Sequence, residues 1–127
     1  MALKVELKPH ERIIIGESLV TNGDTRTTLL IDGEAPILRE KDVLTPETAD
    51  TPARRVYLAV QLMYLEKAPA RFHSAYAELT QDLVRAAPSC LPFVDAINQQ
   101  ILTGNLYKAL REARALVAHE EEILSHV

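Results

Sequence analysis

Arg12, Arg26, Arg39 and Lys41 fall in the first third of the chain, and Arg54-Arg55 stand together just before a long apolar-periodic stretch. Guanidinium and ammonium groups gathered along one edge suit one chemistry above others, contact with phosphate oxygens. Two readings compete for them. One is ordinary solvated surface charge, and the other is a phosphate-contacting edge. Arg54 and Arg55 are oddly placed for a purely structural role, because positive charge at a helix N-terminus is mildly unfavourable. An anion there, or a carboxylate such as Asp50, would relieve it.

Other chemistries find little to work with. His10, His73, His119 and His126 are dispersed, none at metal-ligand spacing from another histidine or from Cys90. Cys90 lies near an expected helix start, where a thiolate can be stabilised, but a buried inert thiol is the plainer reading. Gly16, Gly23, Gly33 and Gly104 are isolated, so no glycine-rich phosphate loop exists. The carboxylates Glu47/Asp50 and Glu120/Glu121/Glu122 lie in segments that read as solvated faces. The expectation is a protein that is not an enzyme, with no catalytic residue, no metal and no cofactor.

Composition narrows the partners. The 127 residues fit one domain, or a small module with an appendage. Fourteen basic residues stand against 18 acidic ones, a net charge of −4, so bulk charge does not draw the chain to nucleic acid and any such contact needs a local patch. There is no tryptophan and little aromatic content, which argues against a base-stacking platform. A single cysteine excludes an intrachain disulfide and makes a reducing compartment the default. The first residues carry charge inside their apolar stretch and lack a signal-peptide core, and no run is long enough to cross a bilayer. A cytoplasmic protein without membrane contact is expected.

The cations must be held by the elements around them. Leu3, Val5 and Leu7 alternate with charged residues, which predicts a half-buried strand ended by Pro9. Arg12 to Ile15 is a second strand, and its three adjacent isoleucines put apolar groups on both faces, as in a central strand. Leu19–Thr21, Thr27–Ile31 and Ala35–Leu38 follow as strands, with Asn22-Gly23-Asp24 and Asp32-Gly33 as hairpin-type turns. The short spacing between turns predicts a compact antiparallel meander or barrel. Residues 45–51 are rich in Thr and Pro and read as a hinge. Thr51-Pro52 then opens a helix whose inner face carries Val56, Ala59, Val60 and Met63. A second helix from about Ala70 presents Phe72, Ala75, Tyr76, Leu79 and Leu83. Ser89 is expected to cap a third, with Val94, Ile97 and Ile101. Gly104 stops it, and Asn105 is expected to cap a fourth with Leu106, Leu110, Ala113 and Val117 facing inward. The three glutamates near its end sit where the helix dipole disfavours them, so the last turns are expected to fray or to lean on a partner.

Longer strings carry a resemblance. Leu3-Lys4-Val5-Glu6-Leu7-Lys8-Pro9 and Glu11-Arg12-Ile13-Ile14-Ile15-Gly16-Glu17-Ser18 resemble the start of the FlbT family. So do Asn22-Gly23-Asp24, the run from Ala35 to Asp42, the run from Thr45 to Arg55, Tyr57 to Tyr64, and Asn105 to Leu110. The resemblance implies a regulator of flagellum biogenesis, described in that family as a post-transcriptional repressor. Its members associate with the 5′ untranslated leader of flagellin mRNA, promote its decay, and work alongside the partner protein FlaF. The β-rich part also resembles the CsrA family of RNA-binding repressors, through Glu11-Arg12-Ile13-Ile14-Ile15-Gly16-Glu17 and through Ala35-Pro36 with Arg39-Glu40. Members of that family are strand-exchanged dimers whose basic edges bind GGA-containing leaders. Here His10 stands where they usually carry glycine, and Ala35-Pro36 lies closer to Arg39-Glu40 than in that family. This second resemblance implies that Arg39 contacts RNA, with Lys4 or Lys8 near the same edge.

Together these readings give an α+β chain: a β-rich unit at 1–44, a hinge at 45–51 and a bundle of three to four helices at 52–127. The expected RNA contacts are Arg39, Arg12, Lys4, Lys8, Arg26, Lys41, Arg54 and Arg55. The expected partners are the flagellin mRNA leader and FlaF or flagellin, with the helices dimerising or recruiting a partner, in a homo-oligomer that is a dimer or larger. The alternative is a protein-binding adaptor or chaperone-like factor for flagellin or FlaF, acting on mRNA only indirectly.

Overall fold

The computed structural model describes residues 2–126, and its α+β architecture divides into two compact units, 1–43 and 44–127. The Thr/Pro segment 45–51 therefore belongs to the second unit.

The first unit holds five strands among its described residues: β1 (Leu3–Leu7), β2 (Arg12–Ile15), β3 (Ser18–Thr21), β4 (Thr27–Ile31) and β5 (Ile37–Arg39). β1 pairs antiparallel with β4, Leu3 opposite Ile31 and Leu7 opposite Thr27. β2 is the central strand of a three-stranded antiparallel sheet in the order β3-β2-β5. Every strand finds its partner within the chain. Val5, Leu7 and Ile13 are buried in one cluster, with Ile15, Val20, Leu29, Ile31 and Ile37 packed on it. Both sheets thus contribute to one core. Ile13 and Ile15 share the core face, while strand alternation turns Ile14 and the buried Leu38 to the other face. That two-sided demand is why three isoleucines run together.

The connections differ from those expected. Only β2 and β3 form a hairpin, closed by Gly16-Glu17 with Gly16 at φ 64, the first-position glycine of a type II′ turn. Asn22-Gly23-Asp24 and Asp32-Gly33 do not close hairpins, because β3 and β4 lie in different sheets, as do β4 and β5. The Asn22 side chain serves another purpose. Its Nδ2 donates to the carbonyls of Lys8 (2.8 Å), Thr25 (2.9 Å) and, more weakly, Leu7 (3.3 Å). His10 N–H donates to the Gly23 carbonyl and Asn22 N–H to the Glu11 carbonyl. The β1–β2 turn and the β3–β4 crossover are thereby tied into one structure, with His10 held at φ 64, a left-handed conformation costly for any residue but glycine. The fifth strand begins at Ile37, not Ala35, because Pro36 has no N–H to give a ladder. Its carbonyl instead accepts from Gly16 N–H at 2.8 Å.

The second unit opens with a hydrogen-bonded turn. Ala49 N–H donates to the Thr45 carbonyl, the Thr45 and Thr48 side chains close the turn, and Ala49 is buried. α1 (Pro52–Glu66) begins as the sequence predicts, with Thr51 Oγ1 accepting from Arg54 N–H and Pro52 at the first helical position. It packs against α2 (Pro69–Ala86) and α4 (Leu106–Ser125), while α3 (Leu91–Leu102) packs against α4. Ala53, Val56, Tyr57, Ala59, Val60 and Met63 are buried, along with the polar Gln61. Gln61 acts as a surrogate backbone, accepting from Leu44 N–H and donating to the Leu44 carbonyl, at 2.8 and 2.9 Å.

Three helix-end expectations are corrected. Ser89 does not cap α3, which grows out of a 3-10 turn at Pro88–Cys90. The Ser89 hydroxyl instead pairs with His119 Nε2 at 2.9 Å. Asn105 occupies the cap position of α4 but makes no capping bond, its amide donating to Thr103 Oγ1. The glutamates at the end of α4 are not simply solvated. Glu120 is 7% exposed and its Oε2 accepts from Ala53 N–H in the first turn of α1 at 2.9 Å. Glu121 Oε1 meets Arg54. The end of α4 therefore leans on the start of α1, and these acids supply the negative charge that the first turn of α1 lacks. On the inner face of α4, Leu116 is fully buried where Val117 was expected.

Candidate nucleic-acid interface

The antiparallel register of the first unit brings the ends of β1, β3 and β5 and the starts of β2 and β4 to the same end of that unit. Five of the eight expected contacts collect there. Lys8 follows β1, Arg12 starts β2, Arg26 precedes β4, Arg39 ends β5, and Lys41 lies in the 3-10 turn Glu40–Asp42 that continues from it. Lys4 does not join them. It sits mid-strand opposite Leu30, on the outward face of β1. Arg54 and Arg55 belong to the second unit.

Within that end the two chief arginines point to opposite faces of the three-stranded sheet. Arg39 is registered with Ile13 and shares its face, while Arg12, one residue earlier on β2, faces the other way. Each is already paired. Arg39 Nη1 lies 3.2 Å from Glu11 Oε2, with only 32% of the Arg39 side chain exposed. The other oxygen of Glu11 accepts from Lys8 N–H at 3.0 Å. The Glu11 carboxyl is held below its ordinary value first by that backbone hydrogen bond and then by Arg39, which together outweigh the opposing effect of burial. On the other face, Arg12 Nε is hydrogen-bonded to Glu40 Oε2. His10 Nε2 stands 3.4 Å from Asp24 Oδ1 at the turn. Glu11, Asp24, Glu40 and Asp42 thus share this end with the cations and nearly cancel them. Lys8, Arg26 and Lys41 are exposed.

Arg54 is equally occupied. Its Nη1 meets Asp50 Oδ1 at 2.8 Å and its Nη2 meets Glu121 Oε1 at 3.2 Å, so the positive charge at the start of α1 is answered from both sides. The hydrogen bond from Arg54 is the first cause that lowers the Asp50 carboxyl, and the pairing raises Arg54 in turn. Arg55 is exposed.

The sequence reading missed the carboxylates that neutralise the arginines. Glu11 could have been paired with Arg39 from strand alternation, since residues 11, 13 and 15 share a face, but only with the β2–β5 register in hand. Glu120 was legible by spacing. It lies four residues after Leu116 and seven after Ala113, on the buried stripe of α4. Nucleophile chemistry gains nothing, because burial, then the nearby Glu120, push the Cys90 thiol up and disfavour its thiolate. Burial, then Asp95, likewise raises the Tyr76 phenol, whose hydroxyl donates to Asn98 Oδ1 at 2.6 Å. Among the described residues no three of His, Cys, Asp and Glu stand together as metal ligands, and no helix is long and apolar enough to cross a membrane.

Residues 3–124 match the family model described as flagellar protein FlbT. The chain belongs to the FlbT family. It is 61% identical over 124 residues to the probable flagellum biosynthesis repressor protein FlbT 1 of Bradyrhizobium diazoefficiens, covering 97% of this chain and 85% of that protein. It is 57% identical over 125 residues to the probable repressor of Rhodopseudomonas palustris, covering 98% of this chain and 99% of that one. It is 36% identical over 130 residues to the flagellum biosynthesis repressor protein FlbT of Caulobacter vibrioides, covering 100% and 92%. No solved structure matches the chain. The FlbT family is thus one of flagellar proteins whose curated members are described as repressors of flagellum biosynthesis.

Proposed function

We propose that this protein represses flagellum biogenesis after transcription, in the cytoplasm, by associating with the 5′ untranslated leader of flagellin mRNA and promoting its degradation. The observation that carries this reading is the collection of Lys8, Arg12, Arg26, Arg39 and Lys41 at one end of the β-unit. Phosphate contacts from such a cluster would fix the leader on the protein, and an occluded ribosome-binding region would leave the message to nucleases. Lys4, on the outward face of β1 and apart from the cluster, would be a separate contact. Arg54 and Arg55 would serve as a second contact on the helical unit, whose other role is to dimerise or to hold FlaF or flagellin.

The second reading is a protein-binding adaptor for flagellin or FlaF with only an indirect effect on mRNA. The near cancellation of the cations by four carboxylates favours it, as do the exposed Leu102 and Tyr107 on the helical unit. Titration of the purified protein against a labelled flagellin leader at two salt concentrations separates the two. About three phosphate contacts predict an affinity that falls roughly 20-fold between about 50 and 200 mM salt. Absence of binding at moderate salt, with a stable complex formed on adding FlaF or flagellin, would overturn the RNA reading.

A further inference from the structure

We infer that Glu11 and Glu40 hold the RNA-contacting end of the β-unit in a self-neutralised state, acting as built-in stand-ins for phosphate. The inference rests on the RNA reading above and deepens it. Arg39 and Arg12 are the two guanidiniums of that end carried on strands, and each already donates to a carboxylate from its own unit. The two pairs lie on opposite faces of the sheet, so one incoming phosphate cannot displace both carboxylates at once.

Displacement exchanges one ion pair for another. A phosphodiester that takes Arg39 must release Glu11, and one that takes Arg12 must release Glu40. The net gain from a single phosphate is therefore small. Only a strand that offers several phosphates in register, and that also reaches the exposed Lys8, Arg26 and Lys41, gains more than it displaces. The carboxylates make this end discriminate against short or isolated anions, in a chain whose net charge of −4 already disfavours random nucleic acid.

The glutamates differ in what else they hold. Glu11 also accepts from Lys8 N–H, so it helps shape the turn. Among the described residues the Glu40 carboxylate has no such backbone bond, and both it and Arg12 are about half exposed. Glu40 is therefore the cleaner probe, and Glu11→Gln keeps an oxygen that can accept from Lys8 N–H. Glu17 is the control. It sits in the β2–β3 hairpin at the opposite end of β2. Four strand residues span about 13 Å, beyond the screening length of roughly 8 Å at physiological salt.

Leader binding is measured for the full chain and for Glu11→Gln, Glu40→Gln and Glu17→Gln at low and moderate salt, with thermal melts to confirm folding. Glu11→Gln and Glu40→Gln should each tighten binding at least about threefold and steepen the salt slope by about 0.7, the increment for one more single-strand phosphate contact. Glu17→Gln should change affinity less than twofold. The gain from Glu40→Gln should vanish in an Arg12→Ala background, and that from Glu11→Gln in Arg39→Ala. If the unmodified chain binds and all three glutamine variants tighten alike, the effect is bulk charge, and the stand-in role is wrong while the RNA reading survives. If no variant binds the leader, the RNA reading falls and this inference falls with it.

Discussion

Glu120 ties the end of α4 to the start of α1 in the helical unit. Its carboxylate is buried beside Cys90 and accepts from Ala53 N–H, one of the donors that the first turn of any helix leaves without an internal partner. Glu120→Ala would remove the acceptor, leave a buried N–H unsatisfied and open a small void. Hydrogen bonds to charged groups contribute about 1.5–3 kcal/mol, so the expected loss is roughly 2–4 kcal/mol once lost packing is included. Glu120→Gln keeps an amide oxygen for the same N–H and should cost about 1 kcal/mol or less. Urea unfolding followed by tyrosine fluorescence checks both. All four tyrosines, Tyr57, Tyr64, Tyr76 and Tyr107, lie in the helical unit, so the signal reports that unit alone. Equal losses for the two variants would mean that the negative charge of the carboxylate matters, since Gln keeps both the volume and an accepting oxygen.

At the scale of elements, Asn22 decides how the β-unit is connected. Asn-Gly between two apolar runs is the strongest short-range hairpin signal, yet here it links strands in different sheets. The reason lies in the side chain, which donates to Lys8 and Thr25 carbonyls and locks one turn against another. Asn22→Ala should destabilise the β-unit by about 1–2 kcal/mol, since two hydrogen bonds at about 1 kcal/mol each are lost while the exposed Lys8 and Thr25 carbonyls regain water. Amide exchange should accelerate first at His10 and Asn22, whose backbone bonds cross the tied turns. Unchanged protection there would show that the backbone bonds alone hold the crossover. The same case shows what the sequence could and could not reveal. The positions of β1, β2 and β4 and the start of α1 were legible, because period and capping are written locally in Leu3-Val5-Leu7, in the isoleucine run and in Thr51-Pro52. Strand pairing was not, because a turn signal at Asn22 or Asp32 says that the chain bends and not which strand it bends toward. The cations of the candidate interface were legible as residue types. Their neutralisation by Glu11 and Glu40 was not, because it depends on a register set by Ile13, Ile15 and Ile37 packing into a shared core.

Across the whole molecule, each unit carries a lowered carboxyl, Glu11 held first by the Lys8 backbone N–H and then by Arg39, and Asp50 held first by Arg54, and both contribute to how the protein responds to acid. Glu11 in the β-unit and Asp50 in the helical unit are both lowered from their ordinary values of 4.5 and 3.8. In the unfolded chain these groups return to ordinary values, so below neutrality the unfolded state binds protons more readily than the folded state. Their stabilising contribution is complete above the unfolded values and is lost as the pH falls through the lower, folded ones. The contribution of each group should therefore be flat near neutrality and decline once the pH drops below about 4.5 for Glu11 in the β-unit and below about 3.8 for Asp50 in the helical unit. The two contributions can be separated, because each unit has its own probe. Glu11→Gln should flatten the acid decline seen in amide protection of the β-strands and leave the tyrosine signal's decline unchanged. Asp50→Asn should do the reverse. The mutants start from lower stability at neutral pH, since each loses its ion pair, and they converge on the parent as acid removes the same pair from it. Convergence is the diagnostic feature: a mutant that stays below the parent by a constant amount down to about pH 3 would mean that the lost stability is packing and not charge. Glu11 links this behaviour to the proposed interface, because the carboxylate whose protonation would weaken the β-unit is the one that occupies Arg39.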